Sequence, residues 1–324
     1  MRRVLVLGGT GWLGRAIALN ALRTGAEVVC LARGESGVPP AGARLVRADR
    51  RDPGAYDALS GDWDHVVELS YQSDLVEPAL EALADRARHW TLISTMSVYR
   101  RNDEPGANET AEVLEPRDLS DYGQAKVAAE RASSARLGDR LAVARAGLIV
   151  GPGDPSDRFG YWVARLHRGG PVLIPQTARR YVQVIDVGDL AEWVSTTGLE
   201  GRAGVFNVTG SSVPLAEFLT SAAAVSGYDG EFRSVSDEWL LRHDVHYWAG
   251  PRSLPLWLPV ADAGFAQRDN TAFLEAGGRV RPIAETLQRA LDDEIARGPL
   301  RPRRAGLTAE EESDLLRLRD DGPH

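Results

Sequence analysis

Gly8-Gly9-Thr10-Gly11-Trp12-Leu13-Gly14 directly follows the apolar run Val4-Leu5-Val6-Leu7 and opens onto the helical stretch Leu13–Thr24. A short buried strand, a glycine turn and a helix in that order predict the first unit of a doubly wound parallel α/β sheet of the Rossmann type. Gly8 permits the tight turn, Gly11 lets backbone approach a pyrophosphate, and Gly14 allows helix and strand to pack closely. The anion would rest on free amides at the helix N-terminus. Gly8, Thr10, Gly11, Trp12, Leu13 and Gly14 are therefore cofactor-binding candidates. The spacing is G-x-x-G-x-x-G, not the commoner G-x-G-x-x-G.

Outward from this turn, short apolar runs alternate with helical stretches, as in a parallel sheet covered on both faces. Strands are expected at Arg3–Leu7, Glu27–Leu31, Arg44–Ala48, His65–Leu69, Trp90–Thr95 and Leu141–Arg145, with helices near Ala55–Ser60, Val76–Ala87 and Asp121–Leu137. After Gly151 the rhythm breaks into Pro- and Gly-punctuated pieces. A strand at Tyr181–Ile185, a helix at Leu190–Thr197 and a strand at Val205–Val208 then return. The expected division is a dinucleotide-binding domain over 1–150, rejoined by 181–208, and a smaller interleaved substrate lobe from 151–180 and 209–300. A polar tail over 301–324 carries Thr308-Ala309-Glu310-Glu311, a capping box for one short helix.

The strand Glu27–Leu31 leads into Ala32-Arg33-Gly34. An acid here would hold a ribose 2′-hydroxyl; Ala32 occupies that place, and the Arg33 guanidinium suits a 2′-phosphate. NADP(H) is favoured, with NAD(H) as the alternative. Asp49 could accept from the adenine amino group, although a turn aspartate before Arg50-Arg51-Asp52 is equally ordinary. Leu69, closing its strand, joins the cofactor-binding candidates.

The chain has a single lysine, Lys126, four residues after Tyr122. On a helix these two share a face. An ammonium beside a phenol is expected to stabilise the tyrosinate and lower its pKa, making it an acid or base near neutral pH. A compact three-donor head also suits ribose hydroxyls better than a guanidinium does.

Composition narrows the function classes. A net charge of −8 argues against a broad nucleic-acid-binding face. The lone Cys30, in the run Val28-Val29-Cys30-Leu31, excludes an intrachain disulfide framework and reads as a core residue. Val4–Leu7 is too short for a signal-peptide core, and no stretch reaches transmembrane length, so a cytoplasmic protein without membrane contact is expected. His243 and His246 lack further ligands for a metal site, and no metal is expected. Trp239, Trp248 and Trp257, among Pro251, Pro255 and Pro259, read either as a cleft lining or as the core of a small lobe. Arg158, Arg179 and Arg180 read either as contacts for an anionic substrate or as ordinary surface arginines, and Asp292-Asp293-Glu294 as a solvated face.

Taken together, Gly8–Gly14, Thr95-Met96-Ser97-Val98-Tyr99, Tyr122-Gly123-Gln124-Ala125-Lys126, Arg145–Pro152 and Gln183–Ala191 resemble, in order, the landmarks of the extended or atypical short-chain dehydrogenase/reductases. The closest likeness is to bacterial epimerase/dehydratase-like reductases, and it runs to about residue 210. The resemblance implies a Ser/Thr, Tyr and Lys set at Thr95, Tyr122 and Lys126, with Ser97 as the fallback for Thr95 and Tyr99 structural. It also implies a small-molecule substrate and, as a candidate assembly, a helix-mediated homodimer. Sugar-nucleotide 4,6-dehydratases carry an acidic pair where this chain has Met96 and Ser97, which disfavours dehydration. The expected activity is NADPH-dependent reduction of a carbonyl in a small or sugar-type metabolite. An NAD(P)-dependent sugar-nucleotide epimerase and a non-catalytic dinucleotide-binding regulator are the alternatives.

Overall fold

Side chains alternate along β1 (Arg3–Leu7): Val4 and Val6 join one core cluster, while Leu5 and Leu7 join another on the opposite face of the sheet. Val28 and Cys30 against Val29 and Leu31 repeat the split in β2 (Glu27–Ala32). A strand buried on both faces must be apolar at every position, which is why these runs show no polar alternation. The computed structural model describes residues 1–321.

Between and after these strands come α1 (Trp12–Arg23), β3 (Arg44–Arg47), β4 (His65–Glu68), α2 (Ser73–Leu83), β5 (Trp90–Thr95), α3 (Tyr122–Leu137), β6 (Leu141–Ala146) and β7 (Leu148–Val150). They are followed by α4 (Arg158–His167), β8 (Val172–Pro175), β9 (Tyr181–Val182), β10 (Val184–Asp186), α5 (Val187–Glu200) and β11 (Gly204–Val208). The remainder comprises β12 (Val213–Pro214), α6 (Leu215–Ser226), β13 (Phe232–Val235), α7 (Asp237–Arg242), β14 (His246–Trp248) and β15 (Ser253–Pro255). Three helices complete it: α8 (Thr271–Glu275), α9 (Ile283–Arg297) and α10 (Ala309–Asp321).

The main sheet has seven parallel strands in the order β11-β6-β5-β4-β1-β2-β3. α1 and α5 cover one face, and α2 and α3 the other. The order reverses between β1 and β4, where such sheets open a crevice at their carboxyl ends. A third core gathers α4, α6 and α9 around Phe159, Trp162, Phe218 and Trp257.

Several local expectations are corrected. Ala55–Ser60 forms turns, not a helix: the segment is short, follows Pro53-Gly54, and ends against the core through Leu59. The strand expected over Tyr181–Ile185 breaks at Gln183, whose amide donates to the Gly210 and Arg268 carbonyls and accepts from the Arg268 amide. β10 then pairs with β7 outside the main sheet, whereas β11 extends it beside β6. Glu294 is buried, not solvated, and holds Arg301 at 2.9 Å and Arg303 at 2.6 Å.

The tail is anchored. Thr308 and Glu311 cap α10 reciprocally, at 2.9 and 3.1 Å. One turn on, Glu312 is buried against Arg165, accepts from Arg168 at 2.6 Å, and accepts from the Leu173 amide at 3.1 Å. Removing one partner strands a charged one in the interior, at a cost of roughly 3–5 kcal/mol. Glu312→Ala should therefore lower the unfolding free energy by about that amount in a urea titration. An unchanged midpoint would show that α10 contributes nothing to cooperative stability.

Candidate active site

The crevice holds two cavities. The one beside the glycine turn, about 190 Å³, is lined by Gly8, Thr10, Gly11, Arg33, Asp49 and Arg51, among others. The other, about 440 Å³, is lined by Trp12, Thr95, Ser97, Tyr122, Gly147, Arg158 and Trp248, with further residues of the segment 146–156.

The first cavity has the form of a phosphate cradle. Gly8 adopts φ +95°, a conformation that side chains disfavour, and a Cβ on Gly14 would stand 2.3 Å from the Gly8 carbonyl oxygen. Gly11 precedes α1, and no side chain caps that helix, so its first amides are open to an anion. These features fit a dinucleotide. Leu13 packs into the core, and Leu69 lies against Gly8. Trp12 departs from the group: it lines the larger cavity, and its indole donates to the Pro152 carbonyl at 2.8 Å.

Arg33 follows β2 with its side chain 53% exposed, 3.2 Å from Glu35 and 3.9 Å from Asp49. Arg51 is likewise exposed and holds Asp74 at 2.6 Å. Arg50, read from sequence as part of an ordinary turn, is instead buried against Glu68 at the end of β4, and also bonds Ser70 at 3.2 Å and the Leu75 carbonyl at 2.7 Å. That pair welds the floor of the cavity.

At the other end, β5 delivers Thr95 and the N-terminus of α3 delivers Tyr122. Asp121 caps α3 by accepting from the Gln124 amide at 2.8 Å, which fixes where the helix begins. The Thr95 hydroxyl accepts from the Ser97 amide at 3.2 Å, donates to the Ser97 hydroxyl at 3.4 Å, and lines the same cavity as Tyr122. Met96, one of the two positions where a dehydratase carries an acid, is buried among Val98, Tyr99 and Val127.

Lys126 is only 3% exposed; its ammonium donates to the Ile93 carbonyl at 2.6 Å and lies 5.0 Å from the Tyr71 ring centroid. Burial lowers its pKa to about 8, while Glu68 and Glu130 pull the other way. The expected effect on Tyr122 is not seen. Desolvation raises the phenol above its ordinary pKa, and the opposing influences are Thr95 and Arg158, not Lys126. The two residues do share a helix face, but the buried ammonium lies against the face of the ring, 5.9 Å from its centroid. Behind them, Tyr99 donates to Asn207 at 2.6 Å and accepts from Arg145, whose guanidinium holds Glu130 at 2.8 Å.

Of the three tryptophans in the Pro-rich segment, Trp257 is core, Trp239 is half-buried beside His243, and Trp248 alone lines the cavity. Of the three arginines, Arg180 is buried on Asp237, Arg179 is exposed, and Arg158 faces the cavity. No pattern in the sequence separates the members of either set, because the sorting is done by contacts between distant segments.

Residues 4–208 match the model of the NAD dependent epimerase/dehydratase family. The chain is 33% identical to the dTDP-6-deoxy-L-talose 4-dehydrogenase (NAD(P)(+)) of Kitasatospora kifunensis, over 72% of this chain and 82% of that protein. Its fold is like that of a putative epimerase from Burkholderia cenocepacia (23% identity, TM-score 0.69, covering 91% of this chain and 98% of the other). It is also like UDP-glucuronic acid 4-epimerase from Bacillus cereus in complex with NAD (16% identity, TM-score 0.66, covering 91% and 99%). Among the described residues, no helix is long and apolar enough to cross a membrane. The open amides of the glycine turn and the family match over most of the chain lead to one conclusion: this protein belongs to the NAD-dependent epimerase/dehydratase family and is an NAD(P)-dependent oxidoreductase of the extended short-chain dehydrogenase/reductase type.

Proposed function

We propose that the protein is an NADP(H)-dependent reductase of a carbonyl in a sugar-type metabolite. The observation that carries this reading is the meeting of Thr95 and Tyr122 in one cavity, with no carboxylate at Met96 or Ser97 to drive loss of water. The Kitasatospora kifunensis relative, a 4-dehydrogenase of a dTDP-6-deoxysugar, lends support to redox chemistry at a sugar carbon.

When bound, NADPH supplies the hydride. Tyr122 donates its phenolic proton to the substrate oxygen, and Thr95 donates a hydrogen bond to the same oxygen as negative charge develops. A phenol held above its ordinary pKa is protonated at neutral pH, which suits an acid. Lys126 spends one donor on Ile93 and keeps two for ribose hydroxyls. The backbone of Gly8, Thr10, Gly11, Trp12, Leu13 and Gly14 forms the pyrophosphate turn, with Leu69 against it. Arg33 binds the 2′-phosphate and Asp49 the adenine edge. The third core, behind Arg158 and Trp248, closes over the substrate as a smaller lobe.

Tyr122→Phe should slow oxidation of dTDP-6-deoxy-L-talose by NADP+, the reverse of the proposed reduction, followed as the rise of NADPH absorbance, by roughly a hundredfold or more. NADPH affinity should hardly change. Full activity in that variant would remove Tyr122 from proton transfer.

Arg33→Asp should weaken NADPH by roughly tenfold or more, the worth of a charge-assisted contact, with little effect on NADH. Parallel fluorescence titrations measure both. An unchanged preference would exclude Arg33 from the 2′-phosphate, and a cofactor that cannot be exchanged would favour an epimerase.

Lys126 titrates near pH 8 in the folded protein and near 10.5 when free. Between those values the unfolded chain binds a proton that the folded chain has lost, so stability from this group rises with pH across the window. Below about pH 8 the buried charge costs stability. Lys126→Met should thus be inactive, yet at least as stable as wild type at pH 7, with any advantage shrinking between pH 8 and 10.5. Urea unfolding across that range checks the sign, and a Met variant less stable at pH 7 would refute it.

A further inference from the structure

The larger cavity contains a cation that the proposed proton transfer does not use. Arg158 opens α4 and shares the cavity with Thr95 and Tyr122. Elsewhere in the interior, Arg50, Arg145, Arg165 and Arg180 each hold a carboxylate, and Arg268 donates to the Arg101 carbonyl and the Asn102 side chain. Arg158 does not: among the described residues its guanidinium makes no ion pair or hydrogen bond, and it rests 5.1 Å from the Trp248 ring centroid. Asp154 lines the same cavity but turns its carboxylate to the Ser156 amide at 2.8 Å and hydroxyl at 2.9 Å. Burial also holds the Asp154 carboxyl above the usual carboxylate range, which lessens its claim on the guanidinium.

The platform beneath Arg158 is built at a cost. Trp248, at the end of β14, has φ +69°, a genuine outlier for a bulky side chain, and Asp244, Arg252 and Leu256 around β14 and β15 share positive φ values. Strain of this kind persists where the surroundings over-determine it, and it clusters at ligand clamps. Here the ring is fixed edge-on against Phe265 at 5.4 Å and presents itself to the guanidinium. An aromatic face orients a guanidinium without occupying its in-plane donors.

We propose that Arg158, seated on Trp248, binds an oxyanion of the substrate, and that this oxyanion is a carboxylate on the same carbon framework as the reacting carbonyl. The inference rests on the reductase reading of the site and narrows its substrate to a uronate- or keto-acid-like molecule. Position is the ground for preferring a carboxylate to a remote diphosphate. The guanidinium lines the same cavity as Thr95 and Tyr122, so an anion bound to it shares that cavity with the reacting oxygen. A carboxylate also matches the two parallel donors of a guanidinium.

The test is a tryptophan-fluorescence titration with glucuronate, methyl glucoside and thymidine diphosphate, run with and without saturating NADPH. Wild-type protein should bind glucuronate better than the uncharged glucoside. Arg158→Gln should lose roughly tenfold or more of the glucuronate affinity. Arg158→Lys should fall between them, having kept charge but lost the planar fork. Thermal midpoints and NADPH affinity, measured on the same samples, should be unchanged and so exclude misfolding. Equal wild-type affinity for glucuronate and glucoside, or an equal loss for both in Arg158→Gln, would overturn the proposal. Arg158-dependent binding of thymidine diphosphate without glucuronate binding would overturn the carboxylate and assign the cation to a diphosphate. Failure to bind NADPH would count against the proposed function, while the cofactor-free titrations would still decide the anion.

Discussion

The bond from Lys126 to the Ile93 carbonyl ties α3 to β5 and governs placement at the Thr95–Tyr122 end of the crevice, although the buried charge itself costs stability. It brings the helix that begins at Tyr122 against the strand that ends at Thr95, so that two hydroxyls from distant parts of the chain meet in one cavity. An ammonium buried this deeply is costly unless it is bonded and compensated. Ile93 supplies the bond, and the Glu68 and Glu130 carboxylates supply compensation at longer range. Those acids are themselves locked by Arg50 and Arg145. The charge network under the site therefore runs from the end of β4, through α3, to β6.

Lysine and arginine divide the work by chemistry. A guanidinium stays charged in any protein environment, so arginine suits the buried structural pairs, as Arg165 with Glu312 and Arg180 with Asp237 illustrate. The one lysine is buried on a backbone carbonyl, with a compact head that keeps two further donors. Arg158 differs from these pairs, since its partner is an aromatic face and not an acid. Buried Arg268 also meets no acid, yet its guanidinium bonds the Arg101 carbonyl and the Asn102 side chain, whereas that of Arg158 bonds neither acid nor carbonyl among the described residues.

Much of the dinucleotide half was legible because its determinants are local. The strand-turn-helix of residues 3–23 follows from an apolar run, glycines at fixed spacing and a helical stretch, all within reach of one another along the chain. Cys30 reads as core, and it is fully buried. The capping box at Thr308 is local too, and forms as read. Errors arose where local signals were weak or outvoted. Ala55–Ser60 has helix-compatible residues but too few of them after Pro53-Gly54. Glu294 looked solvated beside two aspartates, yet Arg301 and Arg303 draw it inside.

The sequence by itself determined the sheet, the glycine turn and the spacing of Tyr122 and Lys126, because strand alternation, turn conformation and helical period are properties of neighbouring residues. Tertiary structure alone decided which way Lys126 points, which arginine enters the cavity and which tryptophan meets it. Those outcomes depend on burial and on partners many residues away: Ile93 for Lys126, Asp237 for Arg180, and Phe265 for Trp248. Electrostatics followed the same division. Adjacency on a helix suggested that an ammonium would lower the phenol's pKa, whereas partial burial in the folded crevice, opposed by Thr95 and Arg158, raises it, since the low polarity that penalises a charge exists only once the chain has folded.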